Sequence, residues 1–164
     1  MNRLLRYIIP VLLASFLGYK YLISQTAAKH GEFAPDFEAE LIDGSQFKLS
    51  NTRGKYVLLD FWGSWCGPCR KANPNLKVLH EKYSDKLTII TIALEKGGTQ
   101  WETAAKRDGF VWKHQIVTFS RFVLLSEIAK LYGVTDIPAK FLISPEGKLM
   151  PKMTFDEIDK LLSK

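Results

Sequence analysis

An α/β sandwich built on a mixed central sheet flanked by helices is what the sequence predicts, and three observations predict it. Two continuous apolar runs, Tyr56 to Trp62 broken only by Asp60 and Leu87 to Leu94 rich in Ile and Thr, read as strands covered on both faces. Between them Cys69, Ala72, Leu76, Leu79 and Tyr83 recur at intervals of three and four, the spacing of one helical face. The chain then closes on strand, turn, strand and helix, so strands and helices alternate along it. Its 164 residues amount to about one domain, and 46% hydrophobic with 24% charged residues excludes a disordered chain.

Residues 1–30 form a segment of their own. Arg3 and Arg6 precede Tyr7 to Tyr19, thirteen residues without a charge, and Lys20, Tyr21, Leu22 and Ile23 follow. A basic start before an apolar run is the pattern of a secretory signal or signal anchor. Thirteen residues suit a cleaved leader better than a span of about 20, but Lys20 can snorkel and extend the stretch to Ile23. Thr26 and Ala28 are small residues of the kind that mark a cleavage site, but they lie rather far beyond the apolar run, which favours an uncleaved anchor. Either form implies export of residues 31–164, and the two arginines favour an N-terminus held in the cytoplasm. This segment carries four of the six net positive charges and no acid, so the exported domain is close to neutral. The basic total is therefore not a nucleic-acid footprint.

The elements of the domain follow in order. Ala27 to Asp36 reads as a polar linker that Pro35 keeps from being helical. Phe37 to Ile42 and Gln46 to Leu49 are strand-like runs joined at Asp43 and Gly44, a pair favoured in tight hairpins. The helix from Pro68 to Tyr83 contains Pro74, where a kink is expected. Thr99 and Glu102 have capping-box spacing and Gly109 offers a stop, which predicts a short helix; another covers Ser126 to Tyr132 and ends at Gly133. A strand from Lys140 to Ser144, a turn at Pro145 to Gly147, a strand from Lys148 to Met153 and a helix from about Phe155, capped by Thr154 and Glu157, complete the chain.

Two cysteines exclude a disulfide scaffold, and their placement carries the chemistry. Trp65-Cys66-Gly67-Pro68-Cys69 lies where a buried strand gives way to a helix. Residues three apart share a helical face, so the two sulfurs can join in a small disulfide ring. Cys66, at the helix start, meets unpaired N–H groups and the positive end of the dipole, which draw its pKa into a range of about 3.5 to 7.5. Cys69 lies inside the first turn on the apolar face and is less reactive. Attack by Cys66 on a substrate disulfide, then by Cys69 on the mixed disulfide, is the exchange this arrangement allows. Asp60, in a strand covered on both faces, is costly to ionise, so its pKa should rise, which suits a proton acceptor for the Cys69 thiol. An aspartate merely bonded to backbone is the alternative.

Other uses of the cysteine pair fail on context. Haem attachment needs His after the second cysteine, where Arg70 stands. Zinc needs four ligands, whereas His30, His80 and His114 are scattered and each reads as a surface or linker residue, so no metal site is expected. A Cu(I) carrier using both thiolates is the non-enzymatic alternative.

On the WCGPC pentapeptide in its strand-to-helix context, the chain resembles the thioredoxin superfamily, in its exported, membrane-tethered TlpA/ResA-like branch. The resemblance runs from about Gly31 to the C-terminus and implies a thioredoxin-like fold with an N-terminal β-hairpin and a central helical insertion, from about Glu95 to Leu125. Pro74 matches the family's helix-kinking proline, Asp60 its buried acid, and Ile137-Pro138 its cis-proline loop facing the active site. The resemblance implies Cys66, Cys69, Asp60 and Pro138 as catalytic residues and Trp65, Gly67, Pro68 and Ile137 as substrate-facing ones; Trp62 reads equally well as core. It implies no cofactor beyond a redox-active Cys66–Cys69 disulfide, and substrates that are disulfide-containing exported proteins. Electrons would come from a membrane-embedded thiol reductase. Gly67-Pro68 and Ile137 resemble reducing thioredoxins, so the expected activity is thiol:disulfide exchange in the reducing direction, in a bacterial cell envelope facing the periplasm or exterior. An apocytochrome c-directed reductase is the alternative. Two departures weaken it: relatives of that kind often carry Glu three residues after the second cysteine and Thr after the cis-proline, and here Ala72 and Ala139 stand there. A peroxidase of the related peroxiredoxin family would need Pro and Thr where Leu59 and Gly63 occur.

Overall fold

The computed structural model describes residues 5–26 and 29–164; the expectations placed on Arg3 and on Ala28 lie outside them. Helix α1, Leu5–Thr26, exposes Tyr7, Ile9, Val11, Leu12, Leu13 and Leu17. No helix among the described residues is long and apolar enough to cross a membrane.

The stretch expected to be a linker is docked from Gly31 onward. The Gly31 and Ala34 N–H groups donate to the Leu149 and Gly147 carbonyls at 2.9 Å each, and Glu32 accepts from the Leu149 N–H at 2.9 Å. The expected hairpin follows as β1 (Glu38–Glu40) and β2 (Gln46–Lys48), antiparallel. Its connection is a five-residue loop rather than a two-residue turn: Glu40 pairs with Gln46, the Asp43 carboxylate accepts the Ser45 N–H at 2.9 Å, and Gly44 supplies the left-handed conformation at φ 80°.

The main sheet is formed by β3 (Tyr56–Trp62), β4 (Leu87–Glu95), β5 (Gln115–Phe119) and β6 (Ala139–Ile143), in the order β5-β4-β3-β6. β3, β4 and β5 are parallel and β6 is antiparallel to β3, so the sheet is mixed as predicted. The two long apolar runs are its central strands, because only they need cover on both faces. Helices α2 (Gly67–Tyr83), α3 (Gln100–Arg107), α4 (Glu127–Leu131) and α5 (Phe155–Leu162) supply that cover with the hairpin.

Alternation along β3 divides the core. Val57, Leu59 and Phe61 face the hairpin and α4, packing with Phe37, Phe47, Ile128 and Tyr132. Leu58 and Trp62 face the opposite way, toward Cys69, Leu76 and Leu79 of α2 and Ile158 and Leu162 of α5. Trp62, 2% exposed and edge-on to Phe110 at 5.0 Å, is core.

Local signals hold unevenly. Thr154 and Glu157 form the predicted capping box, and Ser126 caps α4 by accepting the Ala129 N–H at 3.4 Å. Thr99 stands at the start of α3 without a side-chain bond; its carbonyl accepts the Glu102 N–H instead. The stretch expected as a helical insertion holds α3 and, unpredicted, the parallel edge strand β5. Lys148 to Met153 makes only two isolated bridges, Phe33 with Lys148 and Ile143 with Leu149, and Pro151, with no N–H to donate, keeps the ladder from running on. His80 and His114 are half-buried rather than surface residues, their rings tilted against Trp112 at 5.7 Å and Phe47 at 5.4 Å. Burial holds the His114 pKa below its ordinary value.

Candidate active site

The site forms where β3 ends and α2 begins. Gly63, Ser64 and Trp65 make the turn between them, closed by the Cys66 N–H donating to the Gly63 carbonyl at 3.0 Å. Cys66 is the N-cap of α2, and its Sγ accepts the Cys69 N–H at 3.2 Å. The first-turn donors of a helix have no intrahelical partner and its dipole is positive there, so sulfur anion is favoured at this position. Pro68 fits the first turn because its missing N–H would have been unpaired anyway. Cys66 and Cys69 are joined in a disulfide with Cα atoms 5.2 Å apart. Cys66 is 5% exposed and Cys69 fully buried, so both sulfurs lie deeper than the sequence implied while keeping the expected order.

Ile137 and Pro138 close over the pair. Their peptide bond is cis, and the Ile137 carbonyl oxygen lies 3.8 Å from Cys66 Sγ. Trp65, Gly67 and Pro68 form the exposed rim. The Trp65 indole N–H donates to the Leu94 carbonyl at 2.9 Å, with the ring lying over Gly63. A Cβ at Gly63 would come within 2.7 Å of that indole nitrogen, so glycine is what lets the tryptophan lie there.

Asp60 has the parity of Leu58 and Trp62 on β3 and so faces the layer that holds Cys69. It is 1% exposed, and burial raises its pKa above the ordinary carboxyl value. Lys140, directly opposite on β6, brings Nζ to 3.2 Å from Oδ1, outside hydrogen-bond geometry, and opposes part of that rise. The backbone-bonded alternative fails: neither carboxylate oxygen accepts a hydrogen bond among the described residues.

Three groups here were not singled out from the sequence. Lys140 is one. Glu95, the last residue of β4 and 3% exposed, accepts the Ser64 N–H at 2.6 Å and the Ser64 hydroxyl at 3.0 Å, which bolts the active-site turn to the neighbouring strand. Its signal was a carboxylate closing an apolar run at the carboxyl end of a predicted parallel strand, where such sheets build their sites. Asp108 is the third. It accepts from Arg70 Nη2 at 2.7 Å and from Asn73 Nδ2 at 2.7 Å, fixing the active-site helix to the end of α3. Asn73, not Ala72, therefore completes the buried face of α2. Among the described residues no cluster of His, Cys, Asp or Glu could hold a metal ion.

A cysteine pair at a helix start, with a buried acid facing the same layer and a proline loop beside it, on a sheet of this order, is the arrangement of a thioredoxin-fold thiol-disulfide oxidoreductase. The sequence model of the AhpC/TSA family matches residues 30–151, and the chain belongs to that family. Over 99% of its length it is similar to the thiol-disulfide oxidoreductase ResA of Bacillus thuringiensis subsp. konkukian, 33% identical over 172 residues and covering 96% of that protein. Among solved structures, a thiol-disulfide oxidoreductase from Bacteroides fragilis is 33% identical with a TM-score of 0.70, covering 80% of this chain and 100% of that one. The thioredoxin domain of a thiol-disulfide oxidoreductase from Bacteroides vulgatus is 25% identical with a TM-score of 0.72, covering 83% and 99%. The protein is a thiol-disulfide oxidoreductase of thioredoxin-like fold.

Proposed function

We propose that the chain works as a reductant of disulfides in exported proteins, with Cys66 as the attacking thiol and Cys69 as the resolving one. The position of Cys66 Sγ at the N-cap, with the Cys69 N–H donating to it, carries the assignment of Cys66 as the attacking thiol, and the reducing direction rests on Gly67-Pro68 and Ile137. In the reduced chain the Cys66 thiolate attacks one substrate sulfur and the other leaves as a thiolate that takes up a proton. Cys69 then loses its proton and attacks Cys66 Sγ, which frees the second substrate sulfur. Two electrons pass to the substrate, its two sulfurs take up one proton that leaves Cys69 and one from water, and the Cys66–Cys69 disulfide remains. That disulfide is the redox group, and no other cofactor takes part.

Asp60 receives the Cys69 proton, its burial giving it an affinity for protons that an ordinary carboxylate lacks. Pro138 holds the Ile137 carbonyl against Cys66 and gives a substrate strand an edge to lie along, while Trp65, Gly67 and Pro68 contact it. The disulfide is reset by electrons from a membrane-embedded thiol reductase. Arg3 and Arg6 ahead of the exposed apolar residues of α1 support export and attachment of the domain at the outer face of the cytoplasmic membrane.

The test is dithiol-driven reduction of a model protein disulfide. Activity should be abolished by Cys66→Ser, and a Cys66→Ser chain that retains it refutes the assignment. Direction follows from the potential of the couple, expected near the value of about −270 mV of reducing thioredoxins; a value near −120 mV would make the chain an oxidant.

A further inference from the structure

Because β3, β4 and β5 run parallel, their carboxyl ends open on one edge of the sheet, and the loops that leave them meet there. The first carries Trp65 and Cys66, the second Lys96, the third Arg121 and Phe122. The Ser120 N–H donates to the Glu95 carbonyl at 2.9 Å and pins the third loop to the end of β4. Two adjoining clefts result. One, of about 510 Å³, is lined by Ser64, Trp65, Glu95, Lys96, Gly97 and Gln100. The other, of about 700 Å³, is lined by Lys96, Arg121, Phe122 and Leu124. Lys96 belongs to both, so one continuous strip leads from Trp65, next to the disulfide, to Phe122.

The strip is apolar and carries uncompensated positive charge. Trp65 is 54% and Phe122 65% exposed, a concentration of wetted aromatic surface that marks a contact face. Neither Lys96 nor Arg121 is in an ion pair among the described residues. The one carboxylate in the lining, Glu95, is turned inward and taken up by Ser64. Glu102, the next acid along the chain, and Glu127, the first after Arg121, line neither cleft.

We propose that this strip docks the polypeptide bearing the target disulfide and selects segments in which an acidic side chain and an aromatic or aliphatic one flank the cysteine. The proposal rests on the exchange chemistry assigned to Cys66. Trp65 and Phe122 supply the apolar anchors, while Lys96 and Arg121 attract the acid and fix the register.

The experiment compares two disulfide-bonded peptides that differ only beside one cysteine, Glu and Phe in the first, Lys and Ser in the second, with the reduced full chain. The acidic peptide should show a kcat/KM about tenfold higher at low ionic strength, the gap narrowing as salt screens the charges. With Lys96→Glu and Arg121→Glu together the order should invert, an outcome that a misfolded chain cannot produce. Equal kcat/KM for the two peptides at low salt overturns the proposal, as does a preference that neither salt nor the double substitution changes. A small aliphatic disulfide run alongside separates the two levels. If the reduced chain leaves that compound intact, the exchange reading itself falls; if it reduces it while treating the peptides alike, only the docking strip does.

Discussion

Replacing Asp60 with Asn removes a charge and keeps the shape, and two opposing effects decide the outcome. Asp60 is 1% exposed and neither of its oxygens accepts a hydrogen bond among the described residues. An unsatisfied buried group costs about 1–3 kcal/mol, more when charged. Against this, stripping one partner from a buried ion pair costs about 3–5 kcal/mol, because the other charge is left stranded. Lys140 escapes that penalty: its side chain is 17% exposed and lines the open cleft beside Pro138, so its ammonium can turn to water. The Asn amide is buried without partners as well, so only the extra cost of the charge is relieved, and Asp60→Asn should stabilise the chain by about 1–2 kcal/mol near pH 8, or about 2–8 °C in Tm.

The pH dependence fixes the cause. Burial raises the Asp60 pKa, so between the ordinary and the raised value the folded chain holds a proton that the unfolded chain has released. Wild-type stability must fall as pH rises through that window. The Asn variant should gain almost nothing at about pH 3.5 and its full advantage above the raised value. Activity should move the other way. Without Asp60 the buried Cys69 thiol must ionise unaided; even a solvated thiol, of pKa about 8.5, is only about 3% thiolate at pH 7, so exchange should slow by about 30-fold or more there and recover only as the pH is raised. Denaturant melts and single-turnover exchange across this pH range measure both. A stability offset that is constant with pH, or an unchanged rate at pH 7, would refute the reasoning.

Asp108→Ala strands Arg70 and Asn73 and should cost about 2–3 kcal/mol in denaturant melts, below the full penalty for a buried pair because the Arg70 side chain is 25% exposed. Glu95→Ala leaves the Ser64 N–H and hydroxyl without their acceptor and should cost about 1–3 kcal/mol with a fall in kcat/KM, while Glu95→Gln, which keeps an acceptor oxygen, should recover most of both. Gly63→Ala drives a methyl group into the Trp65 indole, so the ring should leave the Leu94 carbonyl, giving a red-shifted tryptophan emission and a loss of about 1–3 kcal/mol; an unshifted spectrum would contradict the packing.

What the sequence disclosed depended on whether the signal was local. The strand-to-helix placement of Cys66 and Cys69, the burial of Asp60, and the Thr154–Glu157 cap are each written within a few residues and were all readable. Glu95 and Lys140 were not, because each reaches the site only through sheet register: Lys140 stands opposite Asp60 in an antiparallel pair, and Glu95 ends β4 just beyond the turn carrying Ser64. β5 escaped for the same reason, since Gln115 to Phe119 is five residues long with Ile116 alone fully buried, a pattern too short to declare a strand without its neighbour β4. The reverse error fell at Lys148 to Met153, where a strand was expected, but Pro151 cannot donate to a ladder and only bridges form. Asn73 hides in the same way, its burial resting on Asp108 from a different helix.

The central claim is that Cys66 is the nucleophile and Cys69 releases what it captures. Mixing a Cys69→Ala chain with an aromatic disulfide reagent and weighing the product tests this directly. One stable mixed disulfide per chain, located at Cys66 and forming at a rate still high near pH 6, is the result expected of a thiolate held at the start of α2. No adduct at Cys66, or equally fast capture by Cys69 in a Cys66→Ser chain, would contradict it.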